Sequence, residues 1–327
     1  MLKAQVVVTF LPDAGMREVL TEELADVAEI VYLRELPASQ RLKILSAADA
    51  VLGWGLDREL TSPQELEALG SAKLLQVLSA GVDGLPFQLI PPAVPIASNA
   101  GAWAAPMAEH VLAMTLALAK HLVQKHHDLQ EGFFNQRRPN LLIGSCVVGI
   151  VGLGGVGKAT AKLFKAFGAH IYAINRSGRS EKPVDWIGPL DDLGRLLSQA
   201  DVLVLAVPLN RYTRGLIGRR ELELMKRDAI LVNVARAAIV DEDALFDHLR
   251  RYPEFSAGID VWWQEGAAFT PRRPFLDLPN VIGSPHNSAN TYRSLSEAVR
   301  YAGANVARAL RNEPVENLVD RRDYFSA

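Results

Sequence analysis

Short apolar runs alternate with stretches of helical periodicity along the N-terminal third of the chain. The apolar runs have the length and β-branched content of buried strands, and the stretches between them repeat apolar residues at helical spacing. Ser62 followed by Pro63 is a typical helix start, because serine caps a helix and proline suits its first position. Strands are therefore predicted at residues 5–10, 29–33, 49–54, 74–78 and 94–97, with helices at 16–25, 39–47 and 61–69.

A second series of strands and helices follows a long apolar stretch. Residues 106–129 carry Val111, Leu112 and Leu118 at helical spacing, which predicts one continuous helix. Further strands are predicted at 147–151, 170–174, 202–206, 230–233, 256–259 and 280–282, and a last helix at 291–311. The alternation in both series indicates two α/β domains, each with a parallel sheet.

The strand predicted at 147–151 runs directly into the motif G-x-G-x-x-G, formed by Gly152, Gly154 and Gly157. The motif is weak alone, but a strand precedes it here and a helix is predicted after it at 158–167. In that setting the first glycine allows the turn, the second lets a diphosphate approach, and the third allows close helix–strand packing. This pattern predicts a dinucleotide-binding, doubly wound sheet, and a merely tight strand–helix turn is the alternative.

The residue after the next strand reads the adenosine ribose in such domains, and aspartate or glutamate is usual there for NAD. Asn175 occupies this position and is followed by Arg176, Ser177 and Arg179. These side chains can donate to a 2′-phosphate, which a carboxylate would repel, and one charge-assisted hydrogen bond contributes roughly 1.5–3 kcal/mol. We therefore predict a preference for NADP(H), with NAD(H) still usable; a solvated surface loop is the alternative.

Arg236, Glu265 and His286 each follow the end of a predicted strand in the second series, where open parallel sheets bind their ligands. These residue types suit reduction of a carbonyl group, because hydride transfer to a carbonyl carbon leaves an alkoxide that needs a cation and a proton donor. Histidine can donate that proton near neutral pH, and a carboxylate partner fixes its tautomer and favours its charged form. A guanidinium matches a planar anion such as a carboxylate.

In order, spacing and residue type these motifs resemble the D-isomer-specific 2-hydroxyacid dehydrogenase family. The resemblance extends over nearly the whole chain and includes residues 78–83 and 99–101 before the long helix. It implies a Rossmann dinucleotide-binding domain at 99–288, inserted in a flavodoxin-like substrate domain formed by 1–98 and 289–327. Both are expected to be doubly wound parallel-sheet domains.

The resemblance also implies roles for individual residues. Arg236 would bind the substrate carboxylate and polarise its carbonyl, His286 would donate the proton, and Glu265 would orient His286. Asp260 would hold the nicotinamide carboxamide. The other expected contacts are Gly152, Gly154, Gly155, Val156, Gly157, Asn175, Arg176, Ser177, Arg179, Pro208, Val234 and Ala235 for the cofactor, and Trp54, Ser79, Ala80 and Gly81 for the substrate.

Three positions depart from the family pattern. Ala237 follows the arginine in place of glycine, Gly266 follows the glutamate in place of proline, and Asn175 replaces the usual acid. The first two change the shape of their loops and leave the identity of the substrate open. None of the three removes a catalytic group.

The expected reaction is reduction of a small 2-oxo acid, such as glyoxylate or hydroxypyruvate, to the D-2-hydroxy acid. Tryptophans near the expected pocket mouth could instead favour a substrate with a bulkier or aromatic side chain, or they could simply pack in the core. These tryptophans are Trp54, Trp103 and Trp262 or Trp263. Oxidation of formate or phosphite is a further alternative, although the formate branch usually has an amide where Glu265 stands. The last alternative is a non-catalytic protein that senses a dinucleotide. The complete set of Arg236, Glu265 and His286 argues against it.

Composition excludes several other classes of function. Among 327 residues, 35 Lys and Arg stand against 37 Asp and Glu, a net charge of −2, so nucleic-acid binding is not expected. The single cysteine, Cys146, excludes an internal disulfide and multi-cysteine zinc sites. His126 and His127 lack further ligands at metal-binding spacing. We expect a cytoplasmic protein without a membrane segment or a metal, forming a homodimer through the 106–129 helix.

Overall fold

A computed structural model of the chain describes residues 3–180, 184–266 and 268–325. Its strands are β1 (Ala4–Val8), β2 (Ala28–Tyr32), β3 (Ala50–Gly53), β4 (Leu74–Val77), β5 (Ile96–Ala97), β6 (Val147–Val151), β7 (His170–Ile174), β8 (Trp186–Gly188), β9 (Val202–Leu205), β10 (Ile230–Asn233), β11 (Ser256–Ile259) and β12 (Val281–Gly283). Its α-helices are α1 (Ala14–Leu24), α2 (Ala38–Ser46), α3 (Leu56–Glu59), α4 (Pro63–Glu67), α5 (Ala104–Ala119), α6 (Leu122–Gln130), α7 (Gly155–Ala166), α8 (Leu193–Gln199), α9 (Arg219–Leu224), α10 (Glu242–Arg251) and α11 (Ser294–Leu310).

The chain divides into two compact units, one formed by Met1–Trp103 with Thr291–Ala327 and the other by Ala104–Asn290. The predicted borders lay at 98/99 and 288/289, a few residues earlier at both junctions. Among the described residues, no helix combines the length and apolar character needed to cross a bilayer.

The first unit is a five-stranded parallel sheet of order β2-β1-β3-β4-β5, the 2-1-3-4-5 order of flavodoxin-like folds. Its strands are covered on both faces, as parallel sheets require. In β1, Val6 and Val8 pack into a buried cluster with residues of α1 and α11. Val7 points the other way, into a cluster with residues of α2 and α4.

The second unit is a seven-stranded parallel sheet of order β12-β11-β10-β9-β6-β7-β8. Counted from β6, six strands follow the 3-2-1-4-5-6 order of dinucleotide-binding folds, and β12 extends the β11 edge. The strands that follow β6 in the chain, β7 and β8, lie on one side of it, and β9 to β12 lie on the other. The loop after β6 therefore lies at the topological switch point of the sheet. The predicted fold class, two doubly wound parallel sheets, is confirmed.

The prediction of one continuous helix over 106–129 was wrong. α5 ends at Ala119 and α6 begins at Leu122, and between them His121 adopts a left-handed conformation with φ of +51°. α5 buries one face, whereas none of the side chains of α6 is buried. The apolar periodicity continues through the break, so it gives no sign that the helix ends at Ala119.

The sequence pattern also missed β8 and misplaced the start of α7. β8 has only three residues and lies at the sheet edge beside β7, too short for a periodic signal. α7 begins at Gly155, whereas the helix was predicted from 158. The prediction started too late because Gly155 and Gly157 in the first turn are poor helix formers by propensity.

Candidate functional site

The glycine loop joins β6 to α7 and has two glycines that the chain's own backbone requires. Gly152 has a φ of +99°, and a Cβ there would lie 2.4 Å from the Ala206 carbonyl oxygen. A Cβ on Gly157 would lie 2.0 Å from the carbonyl oxygen of Gly152. At Gly154, by contrast, a Cβ would meet nothing within 4 Å. The space beside Gly154 is therefore open, and its glycine is not explained by packing within the chain.

The start of α7 faces this open space without a side-chain cap. Gly154 is the N-cap residue and forms no side-chain capping hydrogen bond, and Gly155 and Val156 are half-buried in the first turn. The first amides of a helix carry partial positive charge and lack partners within the helix. An uncapped helix start beside an open glycine fits the diphosphate of a dinucleotide.

The loop after β7 brings the four predicted ribose-reading residues together. Asn175 Nδ2 donates to the carbonyl oxygen of Arg179 at 2.7 Å, and Ser177 Oγ donates to Asn175 Oδ1 at 3.2 Å. The guanidinium of Arg176 lies 6.0 Å from the centre of the Tyr212 ring. Arg176, Ser177 and Arg179 are exposed and Asn175 is half-buried, so the loop presents donors and cations at the carboxyl end of β7.

Asn233 organises the loop that carries Arg236, a function that the sequence did not suggest. Asn233 is buried at the end of β10, its Nδ2 donates to the Arg236 carbonyl oxygen at 3.0 Å, and its Oδ1 accepts from the Ala235 amide at 3.0 Å. The half-buried Arg236 directs Nη1 to the Ala235 carbonyl oxygen at 2.9 Å. Val234 is buried in the same loop, and Pro208 is exposed after β9.

His286 and Glu265 meet, as predicted. His286 Nδ1 lies 2.8 Å from Glu265 Oε2, and the two side chains are 40% and 41% exposed. The other carboxylate oxygen, Oε1, accepts from the backbone amide of Trp262 at 2.9 Å. Because Glu265 is held through one oxygen and binds His286 Nδ1 through the other, it directs Nδ1 toward the carboxylate and leaves Nε2 on the opposite side of the ring.

Asp260 is fully buried at the end of β11 and binds the turn that carries His286. Oδ1 accepts from Ser284 Oγ at 2.6 Å and from the Asn287 amide at 3.1 Å, and Oδ2 accepts from the Ser288 amide at 3.2 Å. Burial opposes ionisation of this carboxyl, but the hydrogen bonds from Ser284, Ser288 and the Asn287 amide outweigh it and hold the pKa below its usual range. Its oxygens are thus engaged within the chain, and contact with a carboxamide stays a prediction.

The predicted substrate residues of the first unit follow the carboxyl ends of its strands. Ser79, Ala80 and Gly81 come after β4 and are half-buried, with Ser79 Oγ donating to the Gly81 carbonyl oxygen at 2.7 Å. Trp54 comes after β3, is 41% exposed, and packs edge-on against Phe10.

The other three tryptophans that were predicted near the pocket mouth each donate an indole N–H to a backbone carbonyl. Trp103 donates to Leu78, Trp262 to Ser284 and Trp263 to Val240, at 3.0, 2.8 and 3.0 Å. These contacts favour the core-packing explanation for Trp103 and Trp263. Trp262 is also buried, but its ring additionally lines a cavity.

This cavity, of about 490 Å³, adjoins the histidine–glutamate pair.

One residue of the cavity lining, Gly266, stands where the family pattern has proline. Gly266 has a φ of +129°, which proline cannot adopt. The loop after Glu265 therefore follows a backbone path that a proline at this position would not allow. The lining consists of Trp262, Glu265, Gly266, Phe269, Leu276, Gly283, Ser284, Pro285 and His286.

Sequence reasoning missed His110, whose Nε2 lies 2.9 Å from Ser284 Oγ. The two residues are 174 positions apart, and a lone histidine on an apolar helix gives no local signal of such a contact. Within the described ranges 3–180, 184–266 and 268–325, no group of three or more His, Cys, Asp or Glu residues could hold a metal ion.

Comparison with known proteins identifies relatives over the whole chain. Residues 112–288 match the family model described as D-isomer specific 2-hydroxyacid dehydrogenase, NAD binding domain. The chain is 30% identical to D-3-phosphoglycerate dehydrogenase of Methanocaldococcus jannaschii across 91% of its own length, although it spans only 56% of that protein. It is 28% identical to glyoxylate reductase of Korarchaeum cryptofilum across 98% of this chain and 97% of the relative.

A solved structure from Pyrobaculum aerophilum, described provisionally as a formate dehydrogenase, has the same architecture. It aligns with a TM-score of 0.84 and 30% identity, covering 98% of this chain and 100% of that one. The fold and the family are therefore shown by sequence and by structure alike.

Proposed function

The chain belongs to the D-isomer specific 2-hydroxyacid dehydrogenase family, and from this premise we propose that it reduces a small 2-oxo acid to the D-2-hydroxy acid. The observation that carries the proposal is the His286–Glu265 hydrogen bond of 2.8 Å, in the unit that also holds Arg236 and the glycine loop. The family is an oxidoreductase family that uses a nicotinamide dinucleotide.

Each of the three side chains supplies one requirement of carbonyl reduction. The nicotinamide, when bound, supplies the hydride. Arg236 would hold the substrate carboxylate and polarise the carbonyl, since a guanidinium pairs with a planar anion through two parallel hydrogen bonds. His286 would donate a proton from Nε2 to the carbonyl oxygen, while Glu265 accepts from Nδ1–H before and after the transfer. The carboxylate thereby keeps the imidazole in one orientation and one tautomer.

NADP(H) is the proposed preferred cofactor, with NAD(H) still usable. Its support is the loop after β7, where Arg176 and Arg179 are exposed and Asn175 stands in place of an acid. The open space at Gly154 and the uncapped start of α7 suit the diphosphate that both cofactors share. Only the loop after β7 is expected to distinguish the two.

Glyoxylate and hydroxypyruvate are the first candidate substrates, and a relative named as glyoxylate reductase aligns over the full chain. The cavity beside His286 favours a second candidate, a 2-oxo acid with an apolar or aromatic side chain. Its lining includes Trp262, Phe269 and Leu276, and its volume of about 490 Å³ lies within the usual range for small-molecule sites. A two-carbon substrate would leave that apolar surface unused.

One assay separates these alternatives. NADPH absorbance is followed with glyoxylate, hydroxypyruvate, phenylpyruvate and 4-methyl-2-oxopentanoate, and formate and phosphite are tested with NADP in the opposite direction. Turnover of any 2-oxo acid supports the proposed reaction, and the ratio of kcat/KM values between phenylpyruvate and glyoxylate decides the side-chain class. Binding of cofactor without turnover of any compound would overturn the proposal in favour of a dinucleotide sensor.

A cytoplasmic homodimer is the proposed state of the protein, with contact through the 106–129 region. Leu122, Val123 and Leu129 on α6 are each more than half exposed, and exposed apolar surface of this kind would be covered by a partner chain in a dimer. Light scattering tests this, because a monomer has a mass of 35.7 kDa. A measured mass of one chain would contradict the dimer.

A further inference from the structure

His110 lies on α5 and reaches the turn that carries His286. His110 Nε2 is 2.9 Å from Ser284 Oγ, and Ser284 Oγ donates to Asp260 Oδ1 at 2.6 Å. A serine hydroxyl has a single hydrogen, and here that hydrogen is directed to Asp260. The Ser284 oxygen must therefore accept from His110, so His110 carries a proton on Nε2.

The turn that this chain of hydrogen bonds supports holds a strained residue. His286 has a φ of +51°, a left-handed conformation that costs free energy for a residue other than glycine and persists only where its surroundings impose it. The His286 amide donates to the Asp260 carbonyl oxygen at 2.7 Å. The Ser284 amide donates to the Ile259 carbonyl oxygen at 3.0 Å, so both sides of the turn are tied to the end of β11.

His110 lies close to the buried charge at the centre of this arrangement. Its Nε2 is 3.8 Å from Asp260 Oδ1, and Asp260 has no solvent-accessible surface while the His110 side chain is 26% exposed. A buried carboxylate requires donors on all sides. Without His110, the Ser284 oxygen would lose its donor, and Asp260 Oδ1 would lose an N–H group that lies 3.8 Å away.

We propose that His110 is a positioning residue for His286, acting through Ser284 and Asp260. The proposal rests on the proposed reductase function, in which His286 is the proton donor. His110 would not touch the substrate; it would keep the turn in the one conformation that points Nε2 of His286 away from Glu265.

The test compares His110→Leu with His110→Gln, alone and combined with Ser284→Ala, on a 2-oxo acid that the wild-type enzyme reduces. His110→Leu is expected to lower kcat by about 3- to 10-fold, as for loss of one hydrogen bond, with the KM for NADPH within twofold. The glutamine amide can donate to Ser284, so His110→Gln should retain more than half of kcat. In the Ser284→Ala background, His110→Leu should have almost no further effect. The matched control is His170→Leu, which replaces an exposed histidine at the start of β7.

Three outcomes would overturn the proposal: an unchanged kcat in His110→Leu, equal losses in the leucine and glutamine variants, or a full further loss in the Ser284→Ala background. If His110→Leu does not fold, Ser284→Ala alone decides: it removes the same hydrogen bond and should lower kcat at least as much, and an unchanged kcat in Ser284→Ala would overturn the proposal. If the wild-type protein reduces no 2-oxo acid, the proposed function has failed, and the imidazole 1H–15N spectrum tests the contact alone. A proton on Nε2 of His110 and a shift of the His286 ring signals in His110→Gln are expected; their absence contradicts the arrangement.

Discussion

Glu265 Oε2 and His286 Nδ1 are 2.8 Å apart, and Glu265 Oε1 is itself held by the Trp262 amide at 2.9 Å. The Trp262 amide therefore holds the carboxylate through one oxygen while the other oxygen orients the imidazole. Replacing His286 with alanine is expected to lower kcat for 2-oxo acid reduction by about 10²- to 10⁴-fold, the range for loss of a general acid. Cofactor affinity, measured by titration of NADPH fluorescence, should change less than twofold.

The control for this variant is His170→Ala, since His170 is an exposed histidine at the start of β7. Its kcat should match that of the wild-type protein. A His286→Ala enzyme with full kcat would end the proton-donor assignment, and a large loss of cofactor affinity would indicate that the turn, rather than the proton, was affected.

Those parts of the fold that repeat a local pattern could be predicted from sequence. β6, β7, β10 and β11 occupy the predicted ranges because each is a mostly buried run of four or five residues. The meeting of Glu265 with His286 was also predicted, on a family resemblance rather than on geometry. Strand ends of one parallel sheet converge on one edge, so residues placed at those ends are brought together.

Other features depend on distant contacts or on a single backbone angle, and no local pattern reports them. The left-handed conformation of His121 breaks the predicted long helix within a continuous apolar periodicity. The contact between His110 and Ser284 spans 174 positions. The engagement of Asp260 by the 284–288 turn depends in the same way on tertiary packing.

Alanine at Gly154 and at Gly157 should have opposite consequences. At Gly157 a Cβ would lie 2.0 Å from a backbone oxygen, so Gly157→Ala is expected to destabilise the fold by at least about 2–3 kcal/mol, as for severe overpacking. At Gly154 a Cβ meets nothing within 4 Å, so Gly154→Ala should keep the wild-type Tm and weaken NADPH binding about tenfold or more by blocking the diphosphate. Thermal unfolding and NADPH titration measure the two effects. If Gly154→Ala bound NADPH normally, the diphosphate would have to lie elsewhere.

The thiol of Cys146 should be inert in the folded protein. Cys146 is 1% exposed and lies 3.3 Å from the Leu142 carbonyl oxygen, and burial, with the Asp201 carboxylate, raises its pKa to about 11. A raised thiol pKa keeps the thiolate scarce below that pH, so reactivity at pH 8 is low and increases as the pH approaches 11. Iodoacetamide should label the native protein at least about a hundredfold more slowly than the unfolded protein. Rapid stoichiometric labelling of the native protein at pH 8 would contradict this, and Cys146→Ala serves as the blank.

Asn175→Asp should convert the proposed NADP(H) preference toward NAD(H). Asn175 Nδ2 donates to Arg179 O at 2.7 Å and so holds the loop that presents Arg176 and Arg179. A carboxylate at 175 would repel the 2′-phosphate and would accept from the ribose hydroxyls of NADH instead. The ratio of kcat/KM with NADPH to kcat/KM with NADH is expected to exceed about 10 in the wild-type protein and to fall at least about tenfold in the variant.

Two further variants show whether the guanidiniums themselves carry this preference. Arg176→Ala and Arg179→Ala should raise the KM for NADPH while leaving the KM for NADH within about twofold, because NADH lacks the phosphate they would bind. Arg220→Ala removes an exposed arginine of α9 and should alter neither. Equal catalytic efficiency of the wild-type protein with NADPH and NADH would contradict the assignment of this loop to the 2′-phosphate. If the arginine variants instead raised the KM for NADPH and the KM for NADH equally, these side chains would lie at the diphosphate rather than at the 2′-phosphate.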